Sequence, residues 1–536
     1  MILSNNFFSL SGKQLRALMV STASMAFLLF GYDQGVSGGL LTLPSFCTTF
    51  PEMDTTTTTG ALNSRNSKIQ GLTVAIYEIG GAFGAILAFV IGEKLGRLRM
   101  VWLGHFIILI GAALQCASFS LTQFIIARII TGVGIGFNTV TIPVWQAESS
   151  CSHNRGKHLL IEGSMITGGV CLSYWVNFAF HYTAGGLSWR FPLGFQTFFA
   201  VIVCLVVLDL PESPRWLIRK GRYSEARCIM DALDNDLSPE ARESNFAEAC
   251  SGVTSAPHGG SSDGVWKLIM GFGNDENAYA VKYKYRHRMI LAVVHAIFHQ
   301  ICGINLVIYY APKIYQENLG LTASQTRIVT ATVNGIAYFA AGFISTALVE
   351  RIGRRKLMLI GSTGMGMGMA TVAGTTRYLD NNVTVAAVAA AFVFVIQAFF
   401  AVGWLAIVWL YPAEIVPTEI RYVANSIVVA TTWLFNFLIV MVSPVMLANI
   451  HWRAYLIFAV LNVTIGVCVY LLYPETARRS LEEIDEIFAE AKGPFDVVTV
   501  SLRKPYSYDA KGRNVALVVG PLTAEEKGVE VFEHIE

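Results

Sequence analysis

The chain has 536 residues, of which 54% are hydrophobic and 14% are charged, and its formal net charge at pH 7 is +2. Soluble globular proteins carry about 25% charged residues, and a chain this apolar has too little polar surface to cover itself in water. Composition therefore excludes a water-soluble protein, and the near-neutral charge gives no indication of a nucleic-acid partner.

Apolar runs long enough to cross a membrane occur along most of the chain. A hydrocarbon core about 30 Å thick takes roughly 20 apolar residues of helix. One hydrophilic stretch, residues 212–287, separates two groups of such runs. They lie near 17–43, 68–92, 100–120, 122–147, 158–180 and 189–210, and near 288–311, 324–348, 356–377, 384–411, 423–447 and 452–473. We predict an all-α integral membrane protein with twelve transmembrane helices.

Basic residues are concentrated on one alternating set of the predicted loops. They are Lys13, Arg16, Lys94, Arg97, Arg99, Arg155, Lys157, Arg351, Arg354, Arg355, Lys356, Arg421, Arg478 and Arg479. By the positive-inside rule both termini and residues 212–287 are cytoplasmic. The predicted location is the plasma membrane, although organelle membranes stay open. Asn382-Val383-Thr384 is a glycosylation sequon on a loop predicted to face outside.

The two halves of the chain repeat short acidic and basic patterns. The repeated pairs are Glu93 with Arg97, matched by Glu350 with Arg354, and Glu148 with Arg155, matched by Glu414 with Arg421. Matches at similar offsets predict two pseudo-symmetric six-helix bundles, one of the known plans for transporters. The predicted domains are an N-terminus 1–16, a bundle 17–210, a linker with amphipathic helices 211–287, a second bundle 288–473 and a tail 474–536.

Several longer motifs then identify the chain as similar to a known family. They are Gly31-Tyr-Asp33, Ala127-Arg-Ile-Ile-Thr-Gly-Val-Gly-Ile-Gly136, Pro211-Glu-Ser-Pro-Arg-Trp-Leu217, Gln300-x-x-Gly-x-Asn305 and Pro474-Glu-Thr476. Over about residues 12–490 the chain resembles the sugar porter family of the major facilitator superfamily. Further motifs, such as Ile161-Glu-Gly and Trp409-Leu-Tyr-Pro-Ala-Glu-Ile, resemble the fungal glycerol–proton symporters and their sugar-carrying relatives. The resemblance implies the major facilitator fold.

Asp33 and Arg128 are the charged residues of two otherwise apolar runs. A carboxylate in such a run costs a few kcal/mol unless it is paired, neutral or hydrated. The resemblance implies that Asp33 pairs with Arg128 and takes up and releases the transported proton. A static ion pair that fixes helix packing is the alternative, because some facilitators that use no proton keep both residues.

The resemblance also implies a solute site in the second half. Gln300 and Asn305 match the family's sugar-binding amides, and an amide both donates and accepts hydrogen bonds, as a hydroxyl does. Tyr309 matches the first tyrosine of an aromatic pair at the outer mouth, and Trp409 matches a ring that faces the sugar. Further candidates are Trp433 and Asn436, and His299 and Tyr338, which stand where the family commonly has Gln and Asn. Trp433 has the alternative role of an interface anchor.

Eight charged residues at cytoplasmic helix ends match the family's latch, a set of inter-helix salt bridges that holds the cytoplasmic side shut. They are Glu93, Arg97, Glu148, Arg155, Glu350, Arg354, Glu414 and Arg421. Independent snorkelling charges are the alternative, but they do not explain the repeated spacing. After the last run, Ser480-Leu-Glu-Glu-Ile-Asp-Glu-Ile-Phe488 is typical of an N-capped amphipathic helix.

Other functional classes receive no support from the sequence. The nine cysteines are scattered singly, so neither a metal site nor a disulfide framework is predicted, and no phosphate-binding loop for ATP occurs. We predict a monomeric secondary transporter, not an enzyme, without cofactors. It moves a monosaccharide or polyol by alternating access with proton symport. An uncoupled facilitator and a transporter-like nutrient receptor stay as alternatives.

Overall fold

The structure, a computed structural model, describes residues 9–149, 155–236, 238–254, 283–378, 383–417, 420–479 and 481–505. Helices form nearly all of this part, and eleven of them are long and apolar enough to cross a membrane. They are spans 1 to 4 (Gly12–Leu40, Gly60–Leu95, Arg97–Cys116, Leu121–Ser149), span 6 (Leu187–Asp209), and spans 7 to 12 (Tyr285–Gln316, Ala323–Ile352, Arg354–Arg377, Thr384–Ile415, Val423–Ile450, Arg453–Leu472). Span 5 is Arg155–Phe180. The prediction of twelve spans is confirmed.

Span 2 begins earlier than its apolar run predicted. Its first turns are polar, and hydrogen bonds to the preceding loop stabilise them. The helix begins at Gly60 and has 36 residues. Asn66 donates from Nδ2 to the carbonyl oxygen of Asp54 at 2.7 Å, and Gln70 donates from Nε2 to that of Met53 at 3.1 Å. Hydropathy alone does not register a helix stabilised in this way. The same loop contains a short helix, Pro44–Thr49.

Three spans of the second half depart from regular α-helix. Span 7 is broken between Ile301 and Ile304, where Gly303 has a φ of +91°. π-Helical turns occur at Ile314–Asn318, Val329–Asn334 and Ala401–Leu405. Wide turns of this kind are frequent at functional sites.

The spans form two halves that meet along defined pairs of helices. In the first half span 1 packs on span 5, and span 4 packs on spans 2 and 3; in the second half span 9 packs on spans 10 and 12. Across the halves, span 2 packs on span 11, span 5 on span 8, and span 1 on the second part of span 7. A cavity lies between these contacts.

One face of the molecule carries the start of span 1, the linker helices and the tail helices, and we call it the linker face. Its short helices are Pro214–Arg219, Tyr223–Leu233, Pro239–Thr254, Leu481–Glu490 and Asp496–Arg503. Arg16 anchors span 1 to the linker through Asp236, at 2.7 Å. In the tail, Ile487 and Phe488 are buried, as expected for the amphipathic helix, whereas its predicted cap Ser480 lies outside the described residues. The opposite face, with Pro44–Thr49, is the loop face.

Candidate functional site

A cavity lies between the two halves and holds about 480 Å³ of empty space, part of it open to solvent. Seven of the eight predicted solute-binding residues line it, namely His299, Gln300, Asn305, Tyr338, Trp409, Trp433 and Asn436. The first half contributes Phe30, Gln34 and Ile166, and the remaining wall is Ile308, Phe400, Leu405 and Thr432. Spans 7, 8, 10 and 11 therefore supply most of the polar groups.

The break in span 7 presents three side chains that hydrogen-bond in series. Asn305 donates from Nδ2 to Oε1 of Gln300, and Nε2 of Gln300 lies 3.1 Å from Nδ1 of His299. Gln300 and Asn305 belong to the two helical pieces on either side of Gly303. The series fixes both amides beside the cavity before any solute binds.

Three residues of the cavity wall each have a buried polar atom with no hydrogen-bond partner among the described residues. These atoms are Nε2 of His299, the hydroxyl of Tyr338 and Oδ1 of Asn436. Buried polar groups are nearly always hydrogen-bonded, and leaving one unpaired costs about 1–3 kcal/mol. Atoms of this kind, on three different spans around one cavity, suit a ligand with several hydroxyl groups.

Aromatic rings form the apolar part of the cavity. Trp409 makes an edge contact with Phe27 of span 1 at a centroid distance of 5.9 Å, and Trp433 makes one with Phe30 at 5.3 Å. Nε1 of Trp433 also lies within 3.4 Å of Oγ1 of Thr139. Both tryptophans thus contact the opposite half, and a flat ring can pack on the C–H face of a sugar.

Tyr309 does not line the cavity, contrary to its predicted place among the solute-binding residues. Its ring points toward span 2, and its hydroxyl donates to Oε1 of Glu78 at 2.5 Å. The neighbouring residue Ile308 faces the cavity instead, because consecutive residues of a helix point in different directions.

Asp33 and Arg128 form a buried ion pair next to the cavity. Nη1 of Arg128 lies 3.4 Å from Oδ1 of Asp33, and both side chains are at most 1% exposed. Nη2 of Arg128 donates to the carbonyl oxygen of Val74 at 2.9 Å. The pair therefore joins spans 1, 2 and 4 of the first half, and Gln34, adjacent to Asp33, reaches the cavity.

Two polar residues of this region were not among the predicted site residues. Glu78 of span 2 is fully buried, and Gln34 lines the cavity. Both had a signal in the sequence, because each is a polar residue within an apolar run. An ionisable residue inside a membrane span is by itself an indication of function.

The repeated charges at the linker face form two matching clusters. Nε of Arg97 lies 3.1 Å from Glu148, and Nε of Arg354 lies 3.1 Å from Glu414. Glu93 and Glu350 complete them at 3.0 and 2.8 Å. All these pairs join helices of one half, so a latch between the halves stays a prediction. Arg421 donates to the carbonyl oxygen of Val416; the Arg155 side chain and Asn382 lie outside the described residues.

A third repeated element, found in two of the quoted motifs but not predicted as a repeat, completes both clusters. Glu212 accepts from the N–H groups of Arg97 and Leu98 at 3.0 and 3.2 Å. Glu475 accepts in the same way from Arg354 and Arg355 at 2.8 and 3.1 Å. Burial raises the pKa of the Glu212 carboxyl, and the N–H donors oppose this rise. Each carboxylate caps the first turn of the span that follows the repeated motif.

Contacts between the halves exist on both sides of the cavity. Toward the linker face, Oγ of Ser164 donates to the carbonyl oxygen of Gly342 at 2.9 Å. Toward the loop face, Nζ of Lys313 donates to Thr55 at 3.0 Å and to Gln70 at 2.9 Å. The two halves therefore contact each other on both sides of the cavity.

Comparison with known proteins gives consistent matches along the chain. The model of the family described as Sugar (and other) transporter matches residues 19–488. The Sugar transporter STL1 of Saccharomyces cerevisiae is 36% identical, with 90% of this chain and 83% of that protein covered. The MFS-type transporter oryC of Aspergillus oryzae is 35% identical, with 94% and 91% covered.

Solved structures match in fold as well. The proton:xylose symporter XylE bound to 6-bromo-6-deoxy-D-glucose is 25% identical, with a TM-score of 0.73 over 89% of this chain and 100% of that chain. An inward-open structure of the xylose transporter XylE from E. coli is 25% identical, with a TM-score of 0.68 over 88% of this chain and 99% of that chain. The two six-helix halves described above are the architecture of these transporters.

Proposed function

Because the chain belongs to the Sugar (and other) transporter family, we propose that it carries a monosaccharide or polyol across a membrane in symport with a proton. The solute binds in the central cavity, and the two halves rock about it so that the cavity opens to one side at a time. Asp33 binds the proton, which weakens its pair with Arg128.

The residues of the cavity wall support the proposed class of solute. Nε2 of His299, the Tyr338 hydroxyl and Oδ1 of Asn436 have no partner among the described residues, and Trp409 and Trp433 stand beside them. Hydroxyl groups of a small solute can satisfy the three polar atoms while its C–H groups pack on the rings. Named relatives that are a sugar transporter and a proton:xylose symporter support the same solute class.

We further propose that the linker face is cytoplasmic and that the protein resides in the plasma membrane as a monomer. The basic residues near the ends of the spans support this orientation. The clusters around Arg97 and Arg354 would then act at the cytoplasmic ends of the two halves, where the family's latch is expected.

The proposal is tested by uptake into proteoliposomes, with a panel of labelled monosaccharides and glycerol. With an imposed proton gradient, the wild-type protein is expected to accumulate its solute uphill and to make the external medium more alkaline. The Asp33→Asn variant is expected to lose uphill accumulation and to keep exchange of solute across the membrane, because the amide neither takes up nor releases a proton.

A matched control is Glu52→Gln, which neutralises an exposed carboxylate at the loop face and is expected to behave as the wild type. If the wild-type protein takes up solute without making the medium more alkaline, the protein is an uncoupled facilitator and not a proton symporter. The absence of any flux would favour a nutrient receptor.

A further inference from the structure

The carboxylate of Glu78 stands beside the Asp33–Arg128 pair without a cation of its own. Glu78 and Asp33 are 0% exposed, and Arg128 is 1% exposed. The charged groups that act on Glu78 are Arg128 of span 4 and Asp33 of span 1. Its titratable neighbours are tyrosines of spans 2 and 7, namely Tyr77, Tyr309 and Tyr310. Two carboxylates therefore lie near one guanidinium in a buried environment.

Of the two carboxylates, the Arg128 guanidinium is hydrogen-bonded to Asp33. Nη1 of Arg128 is directed at Asp33 and its Nη2 at the carbonyl oxygen of Val74. Glu78 receives a hydrogen bond from Tyr309, and its Oε2 has no partner among the residues that the structure describes. An unpaired charge buried in a membrane is costly. A proton on Glu78 removes that unpaired negative charge.

The donor to Glu78 comes from the other half of the molecule. Tyr309 belongs to span 7, and Glu78 belongs to span 2. A hydrogen bond donated to a carboxylate favours its charged form and weakens its hold on a proton. The hydrogen bond from Tyr309 therefore makes the protonation of Glu78 depend on whether the two halves meet at this place.

We propose that Glu78 is a second proton-binding carboxylate of the transport cycle, and that the hydrogen bond from Tyr309 couples its protonation to the contact between the halves. This inference rests on the proposed proton symport. With the loop face open, the carboxylate takes a proton from the aqueous phase and becomes a neutral acid. Closure buries the neutral acid against Tyr309, and the hydrogen bond from Tyr309 assists loss of the proton once water reaches the site from the other side.

The test compares the pH dependence of solute uptake with solute exchange at equal concentrations on both sides. Glu78→Gln is expected to keep exchange and to lose part of the pH dependence and of the uphill accumulation. Tyr309→Phe keeps the carboxylate but removes its donor. It is expected to move the pH of half-maximal uptake upward by about one unit, the effect of losing one hydrogen bond to a charged group.

Glu162→Gln is the matched control, because Glu162 is also buried and its carboxylate lacks a partner within the described chain. An equal shift in this variant would overturn the inference. A pH profile like that of the wild type in both Glu78→Gln and Tyr309→Phe, with Asp33→Asn uncoupled, would overturn the inference and leave proton symport standing. A wild-type protein that moves no protons would refute symport itself. Should Glu78→Gln fail to fold, the Tyr309→Phe profile decides alone.

Discussion

The hydroxyl of Tyr338 allows solute binding to be separated from protein stability. Tyr338 lines the cavity, and its hydroxyl has no partner among the described residues. Tyr338→Phe therefore removes no hydrogen bond within the protein, but it removes one that the solute would make. We expect an unchanged melting temperature and a KM for solute raised about 2- to 12-fold, since a net hydrogen bond contributes about 0.5–1.5 kcal/mol. Uptake kinetics and thermal unfolding in detergent measure the two effects.

Tyr411→Phe is the control with the opposite expectation. The Tyr411 hydroxyl is bonded to the carbonyl oxygen of Pro474 at 3.0 Å, and its side chain is not part of the cavity wall. Its loss should lower the melting temperature and leave KM near the wild-type value. If Tyr338→Phe instead lowered stability and left KM unchanged, the hydroxyl would have a structural role.

The residues of the solute site show which of its features could be predicted from the sequence. The motif around Gln300 and Asn305 was sufficient to place two cavity residues, because the spacing lies within one span. Glu78 was missed because its importance depends on the arrival of Tyr309 from span 7 and of Arg128 from span 4. Contacts of this kind depend on how separate helices rotate against each other, which a single sequence with no alignment does not specify.

At the scale of helices, hydropathy located the spans but not their interruptions. Span 7 contains an apolar run without an obvious break, yet its helix stops at Gly303, whose φ of +91° is a conformation that only glycine adopts readily. A β-carbon there would lie 2.7 Å from the ring of Phe458. The interruption places Gln300 and Asn305 on two helical pieces whose side chains hydrogen-bond to each other, so the least predictable feature of the helix shapes the site.

The capping carboxylates Glu212 and Glu475 support a prediction on stability. Each accepts from two N–H groups in the first turn of a span. Replacing either residue by Ala leaves those donors without their acceptor, and we expect a loss of about 1–2 kcal/mol in the free energy of unfolding. Glu212→Gln should lose less, because the amide oxygen still accepts. Chemical or thermal unfolding of the purified protein measures these differences.

Glu225→Ala is the matched control for these substitutions. Glu225 pairs with Arg222 on the exposed surface of the linker, where an ion pair contributes about 0–1 kcal/mol. A loss in Glu225→Ala as large as that in Glu212→Ala would show that the caps do not stabilise the spans as argued. Equal losses in Glu212→Ala and Glu475→Ala would show that the two clusters are energetic as well as geometric repeats.

On the scale of the whole molecule, the two halves contribute different groups to the candidate site. The first half holds Asp33, Glu78 and Arg128, whereas the second half holds the amides and the unpartnered polar atoms of the cavity. If proton and solute bind as proposed, they act mainly on opposite halves. Contacts between the halves, such as Tyr309 with Glu78, then link the two events, so coupled transport by this route requires these contacts to form and break in each cycle.

Locking the halves together tests this requirement directly. A β-carbon on Gly163 of span 5 would lie 3.6 Å from the β-carbon of Ala406 in span 10, within the range of about 3.5–4.5 Å that a disulfide spans. The Gly163→Cys, Ala406→Cys double variant should form a disulfide on oxidation, hold the linker face shut and lose transport. Reduction should restore uptake, and each single variant should transport under oxidising conditions. Complete cross-linking with undiminished uptake would mean that the solute passes without separation of the halves at this face, and alternating access would be wrong for this protein.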